Sequence, residues 1–170
     1  TTALIAAAAA ISIFYYVKRK QQNRATQLAQ ELAEQLLNAS AKGNVSQAKA
    51  ALNDGADANA THLTTLSNGA TPLMLASQNN HIKIVQLLLS LKKDRLDVNQ
   101  AAPNGGATAL HAASFNGHLE VVRLLLSKSE IDINKARDDG DTALYVASQE
   151  DNVEVVRLLL SKSEIDINKA

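Results

Sequence analysis

The 170-residue chain has no cysteine and no tryptophan, only two prolines and one methionine. Without cysteine there is no disulfide, no thiolate metal site and no cysteine nucleophile. Aromatic side chains are scarce, five in all, and three of them are adjacent at Phe14, Tyr15 and Tyr16. A stacking platform for nucleobases needs aromatics spread along a surface, and the rest of the chain lacks one. Acidic residues are missing from the whole stretch before Glu31, where Lys18, Arg19, Lys20 and Arg24 supply four positive charges. From residue 25 onward 13 basic residues face 17 acidic ones, a net charge of −4. That balance does not supply the basic face of a nucleic-acid binder.

What is present first is one apolar run. Ala3–Val17 reads ALIAAAAAISIFYYV, with Ser12 its only polar residue, and Lys18-Arg19-Lys20 follows at once. A helix rises about 1.5 Å per residue, so the run spans ~22 Å against a hydrocarbon core of ~30 Å. Thr1, Thr2 and snorkelling lysines would extend it. Tyr15 and Tyr16 stand where an interfacial aromatic belt would sit, and the basic cluster marks the side that is not translocated. A cleaved signal peptide carries its charges before the apolar run, not after it. These features predict a single-pass anchor held by Leu4, Ile5, Ile11, Ile13, Phe14, Tyr15, Tyr16 and Val17, with a buried core helix as the alternative. The start at Thr rather than Met fits removal of upstream residues. No glycine or proline occurs before Gly43, and Leu28, Leu32 and Leu36 recur at four-residue spacing beside Ala25, Ala29 and Ala33. The pattern predicts a helix running on from the anchor with little interruption, weakest at Gln21–Asn23.

The remainder is periodic. EVVRLLLSKSEIDINKA occurs twice without change, as Glu120–Ala136 and Glu154–Ala170. Gly-x-Thr triplets at Gly69–Thr71, Gly106–Thr108 and Gly140–Thr142 open the short apolar patterns TPLMLAS, TALHAAS and TALYVAS. A turn follows each (NNH, NGH, EDN), then a second apolar run, and then Asp-x-Asn at Asp97–Asn99, Asp132–Asn134 and Asp166–Asn168. Each predicted helix is about eight to ten residues, too short to be stable alone in water, so each needs neighbours. Thr71, Thr108 and Thr142 are placed to cap the first helix of each unit, with Pro72 suited to its first turn. Leu73, Leu110 and Leu144 beside the small Ala76, Ala113 and Ala147 allow close stacking. Leu124–Leu126 fills the space between second helices. Gly117 fits a helix end with positive φ, and Asn80 and Asp151 stand at that place in the flanking units.

This pattern resembles the ankyrin repeat family, whose helix–turn–helix unit carries a TPLHxA-type signature at a period near 33 residues. Three full matches run from Gly69 to Ala170. A fainter one precedes them, through Leu36-Leu37, Gly43-Asn44 and Gly55–Asn59. The resemblance covers roughly 85% of the chain and implies an all-α solenoid of about four helix–turn–helix units. With the anchor included, the expected organisation is a transmembrane anchor with its basic flank over 1–20, then a linker helix and atypical unit over 21–68. Units at 69–104, 105–139 and 140–170 follow. The family usually places Gly-Ala before the closing Asp; SEIDIN stands there instead. Asn59–Thr71, with His62, and Leu89–Asp97 are lengthened connections predicted to lie on loops. The last unit has no polar capping helix, so further sequence or another molecule is expected to cover its face.

Catalytic patterns are missing. No HExxH, paired metal-ligand spacing or Gly-rich phosphate loop occurs, and the resemblance gives His111 and His118 structural hydrogen-bonding roles. Asp138, Asp139 and Asp141 crowd RDDGD, but the glutamate that completes a calcium loop is missing, which leaves a solvated acidic fingertip. No enzyme activity, cofactor, metal, nucleic acid or small-molecule substrate is expected.

The duplicated seventeen residues are scaffold, because identical letters cannot distinguish one partner from another. Members of the resembled family bind other proteins through a concave surface of β-turn tips and first-helix ends. Here that implies Ser67, Asn68, Ala70, Gln78 and Asn79, then Asn104, Ala107, Phe115 and Asn116, then Asp138, Asp139, Asp141, Gln149 and Glu150. Phe115 is the one large apolar side chain among them, either a contact for a partner or folded on its own turn. The acidic end suits a basic or polar patch on a partner. The expected function is a membrane-anchored scaffold or adaptor, its units on the basic-flank side (cytosolic, or stromal or matrix in an organelle). One alternative is an accessory subunit of a large, energy-converting membrane complex. Another is an ankyrin-bearing part of a longer channel or enzyme.

Overall fold

The structure, a computed structural model, describes residues 2–61 and 69–169, with side chains from residue 12 onward. Among the described residues eight helices follow one another: α1 (Thr2–Lys42), α2 (Val45–Asn53), α3 (Pro72–Gln78), α4 (Ile82–Leu89), α5 (Ala109–Phe115), α6 (Leu119–Leu126), α7 (Ala143–Gln149) and α8 (Val153–Leu160). The only extended pairing among the described residues is an isolated antiparallel bridge, Ala136 to Thr142. The fold is all-α. Helices α3 to α8 are seven or eight residues long, at or below the short end of the expected range.

The helices form four antiparallel pairs. Within each pair a single residue of positive φ turns the chain: Gly43 (74°), Asn80 (56°), Gly117 (68°) and Asp151 (55°). At 43 and 117 the glycine also answers a close approach. A Cβ there would lie 2.8 Å from the His81 ring and 2.5 Å from Asn152 Oδ1, respectively. First helices stack on first helices (α1, α3, α5, α7) and second on second (α2, α4, α6, α8). The shared core runs through Leu36, Leu73 and Leu110, through the small Ala39, Ala76, Ala113 and Ala147, and through Ile84, Leu88, Val121, Leu125, Val155 and Leu159. Alanine at the first-helix contacts lets the backbones approach. Branched side chains fill the wider gap between second helices. Leu125 is fully buried, while Leu124 and Leu126 are only partly so.

Caps hold the short helices. The hydroxyl oxygens of Thr71, Thr108 and Thr142 accept from the N–H of Met74, His111 and Tyr145 at 3.2, 3.5 and 3.3 Å, as expected from their placement. Two ladders of side-chain hydrogen bonds then tie each pair to the next. At the start of each second helix, His81 Nε2 bonds Ala41 O (3.0 Å) and His118 Nε2 bonds Gln78 O (3.0 Å). Asn152 Nδ2 donates to Ser114 O and Phe115 O (2.8 and 2.9 Å). In the closing loops Asn59, Asn99 and Asn134 each donate to one carbonyl of the next unit, that of Arg95, Glu130 or Glu164 (3.2, 2.7 and 2.6 Å). Each also accepts the N–H two residues further on, from Asp97, Asp132 or Asp166 (2.7, 2.8 and 2.8 Å). A carboxamide carries both a donor and an acceptor, so one side chain closes the two-pronged clamp.

The N-terminal expectation is corrected in part. α1 is one continuous helix of 41 residues that passes through Gln21–Asn23 without a break. Among the described residues, however, no helix is long and apolar enough to cross a membrane. The apolar run is fifteen residues, six of them alanine, and Lys18-Arg19-Lys20 interrupts the same helix. The single-pass membrane localisation read from it is therefore overturned. Leu4, Ile5 and Ile11 fall outside the described side chains, and Ile13, Phe14, Tyr15, Tyr16 and Val17 are exposed. The predicted apolar stripe also begins later than its spacing suggests. Leu28 is exposed, and burial against the array starts at Leu32.

Candidate partner-binding surface

Finger loops join the units. In the finger before α5, Ala102 N–H donates to Ala107 O (2.8 Å) and Gly106 N–H to Ala102 O (3.2 Å). In the finger before α7, Arg137 N–H donates to Asp141 O (2.9 Å) and Gly140 N–H to Arg137 O (3.0 Å). Asp138 N–H reaches across to Gly105 O (3.2 Å) and joins the two fingertips. The fit is close: a Cβ on Gly106 would lie 2.6 Å from Asp138 Oδ1 and 2.9 Å from Asp138 N.

The acidic fingertip is ordered by its own bonds. Asp139 Oδ1 accepts the Asp141 N–H at 3.1 Å, and its other oxygen pairs with the Arg137 guanidinium. The Asp141 N–H, seconded by Arg137, holds the Asp139 carboxyl below the usual carboxylate range. Asp138 and Asp139 are exposed and Asp141 is half-buried. Among the described residues, no cluster of three His, Cys, Asp or Glu could hold a metal ion.

Other expected contact residues differ in what they bond and how far they are exposed. Asn79 and Asn116 turn their amides onto their own helices, donating to Leu75 O and Ala112 O at 2.8 Å each. Gln78, Phe115, Gln149 and Glu150 stand exposed at first-helix ends, and Asn104 is exposed on its fingertip. Phe115 is 49% exposed, so about half of its surface is open to solvent. Ala70 and Ala107 are half-buried at the finger bases. Ser67, Asn68 and His62 lie outside the described residues. Two residues were missed from sequence. Tyr145 is 40% exposed, and Gln149 Nε2 donates to its hydroxyl at 3.2 Å. Arg137 anchors the acidic finger. The change from TALH to TALY and the basic letter opening RDDGD were the available signals.

His111 couples its helix to the next finger. Its Nε2–H donates to Asp141 O (3.1 Å), which leaves Nδ1 to accept from Thr108 N–H (3.2 Å) and the Thr108 hydroxyl (2.8 Å). That geometry needs the neutral ring, because a proton on Nδ1 would meet the Thr108 N–H. Burial is the main cause that lowers the pKa of His111 from its ordinary value near 6.5. The unfolded chain therefore takes up this proton at higher pH than the folded one. Stability from this residue is complete above about pH 6.5 and is lost as pH falls toward the folded value. Met74 holds the same place in α3, where its sulfur accepts from Thr71 N–H at 3.4 Å. His111→Met is thus expected to keep the fold and flatten the fall in melting temperature between pH 7 and pH 5. An unchanged slope would remove His111 as its source.

No curated protein sequence matches the chain. A family model described as ankyrin repeats (three copies) matches residues 36–137 and 96–170, the region that holds the paired helices, threonine caps and finger loops. The chain belongs to the ankyrin repeat family.

Proposed function

We propose that the chain is an adaptor that holds a partner protein on the surface formed by its finger loops and first-helix ends. Ankyrin repeats are protein-interaction modules, and the finer reading rests on Phe115. A large apolar side chain stands open to solvent among Gln78, Gln149 and Glu150, on the part of each unit that varies while the scaffold letters repeat. In this reading Phe115 is the anchor, Asp138, Asp139 and Glu150 form a charged rim, and Ala70, Asn104, Ala107 and Asp141 line the fingers between. Ser67 and Asn68 would extend the same surface.

Crosslinking in the native source, followed by identification of the crosslinked neighbours, supplies the partner. Phe115→Ala is then expected to weaken its association by about 1–2 kcal/mol, roughly 5- to 30-fold, with unchanged melting. Asp138→Asn is expected to act mainly through association rate and salt dependence. Equal affinity for wild type and Phe115→Ala would end this assignment. A second reading, an accessory subunit of a multisubunit assembly, is favoured by the exposed Ile13–Val17 segment on the projecting part of α1. Copurification of a stoichiometric complex that survives Phe115→Ala would favour it over the adaptor.

A further inference from the structure

Two features of opposite charge stand at opposite ends of the molecule. Helix α1 is exposed at every residue from Ile13 to Glu31, and it joins the array only beyond Glu31. The projecting length carries Lys18, Arg19, Lys20 and Arg24 and, before Glu31, no acid. Phe14, Tyr15 and Tyr16 lie about one turn ahead of the cations, each 64% or 65% exposed. A lone helix is marginal in water, and adjacent aromatics open to solvent mark a contact site. The acidic feature belongs to α7. Asp138, Asp139 and Asp141 precede that helix, Glu150 and Asp151 follow it, and Arg137 is the only cation from residue 137 to 151. Tyr145 is exposed between the two acidic ends, and Phe115 is exposed at the end of the neighbouring α5. The same places in earlier units, Gln78-Asn79-Asn80, Phe115-Asn116-Gly117 and Asn104-Gly105, hold no charge.

We propose that this acidic surface is a docking site for the Phe14–Arg24 segment of α1 from a second copy of the chain. The proposal rests on the adaptor reading, whose finger surface it uses, and it names the partner's chemistry: a basic helix led by aromatics. The lengths agree. Phe14 to Arg24 is ten residue rises, about 15 Å, and α7 from its Thr142 cap to its Glu150 cap is eight, about 12 Å. Cations on α1 thus face carboxylates at both ends of α7, while the aromatic rings cover Tyr145 and Phe115. A molecule does not fill its own site. α1 stacks on α3 at one end of the array and α7 on α5 at the other, and α1 is one unbroken helix that does not turn back over the units. A second copy brings the complementary segment in a fixed one-to-one ratio with the site. The contact joins unlike surfaces, so a chain lacking one of them still pairs with a chain lacking the other.

Sedimentation of the full chain and two variants tests this. Tyr15→Ser with Lys18→Glu and Arg19→Glu spoils the segment. Phe115→Ala with Asp138→Asn and Glu150→Gln spoils the site. All six side chains are exposed, so both variants are expected to melt like the wild type. The wild type should associate at or below roughly 100 μM, and high salt should weaken that association about tenfold. Each variant alone should stay monomeric. An equimolar mixture of the two should pair, because one keeps the site and the other keeps the segment. Association of either variant alone at wild-type strength overturns the proposal, since α1 would then pair with α1 or with another face. A mixture that stays monomeric overturns it as well. So does a monomeric wild type, whether its α1 aromatics bind phosphatidylserine vesicles or nothing. The adaptor reading is measured separately: a monomeric chain that still loses its crosslinked partner on Phe115→Ala ends self-docking and keeps the adaptor.

Discussion

Leu125→Ala is expected to lower the unfolding free energy by about 2–5 kcal/mol, measured by urea denaturation. Leu125 lies at the centre of α6, fully buried, with α4 on one side and α8 on the other. The cost of such a truncation depends on whether the surroundings collapse into the space. Here collapse is resisted from both sides, because the asparagine clamps at 99 and 134 and the caps at 118 and 152 set the distance between neighbouring units. The site is also internal to the stack. Weakening one internal junction should broaden the transition or split it in two, since stability in a linear array is a sum of unit and interface contributions. A loss below ~0.5 kcal/mol would mean that Leu125 does not sit between the second helices.

Asn99→Ala should cost about 1–2 kcal/mol, because two hydrogen bonds to the next unit vanish together while water reaches the exposed Asp132 N–H left behind. The amide donates to Glu130 O at 2.7 Å and accepts from Asp132 N–H at 2.8 Å, so one side chain supplies both halves of the clamp. Asn99→Asp keeps the acceptor but sets a carboxylate oxygen against the Glu130 carbonyl, and it should destabilise as well. The matched control is Asn168→Ala, which removes the same letter from the end of the array and should leave stability nearly unchanged. Equal effects at 99 and 168 would show that the clamp contributes nothing.

The local features were legible from the letters. The threonine caps, the positive φ at Gly117, Asn80 and Asp151, and the burial of Leu125 each depend on a few neighbouring residues with a known geometric demand. The asparagine clamp was harder to read. Asp-x-Asn showed as a recurring closing signal, but its partners lie 30 to 38 residues away, and only the stacked register reveals what the amide touches. The same Asp-x-Asn also closes on itself, with Asp97, Asp132 and Asp166 accepting the N–H of Asn99, Asn134 and Asn168. The apolar stretch of α1 misled for a different reason. Aromatic and basic flanks resemble those of a spanning helix, yet an alanine-rich run of fifteen residues lacks the length and hydropathy to complete one. At the candidate surface, exposure of Phe115 follows from its place at the last turn of a seven-residue helix, where the spacing allows burial or exposure equally. The role of Asp139 was hidden because its partner, Arg137, is set by the hairpin and not by helical spacing.

The reach of the ladders has a consequence for how the molecule is made. Side-chain hydrogen bonds between units, among the described residues, link positions no more than 43 apart in the chain, and most link positions 30 to 40 apart. No unit waits on a distant terminus for its bonds. Low separation of this kind favours fast assembly. During synthesis, each new helix pair finds its docking site already built by the pair before it. The clamp at Asn99 can close once Asp132 has left the ribosome, without waiting for α7 and α8 to emerge and fold. Growth can therefore proceed in one direction, unit upon unit, and the nascent chain need expose only its newest edge.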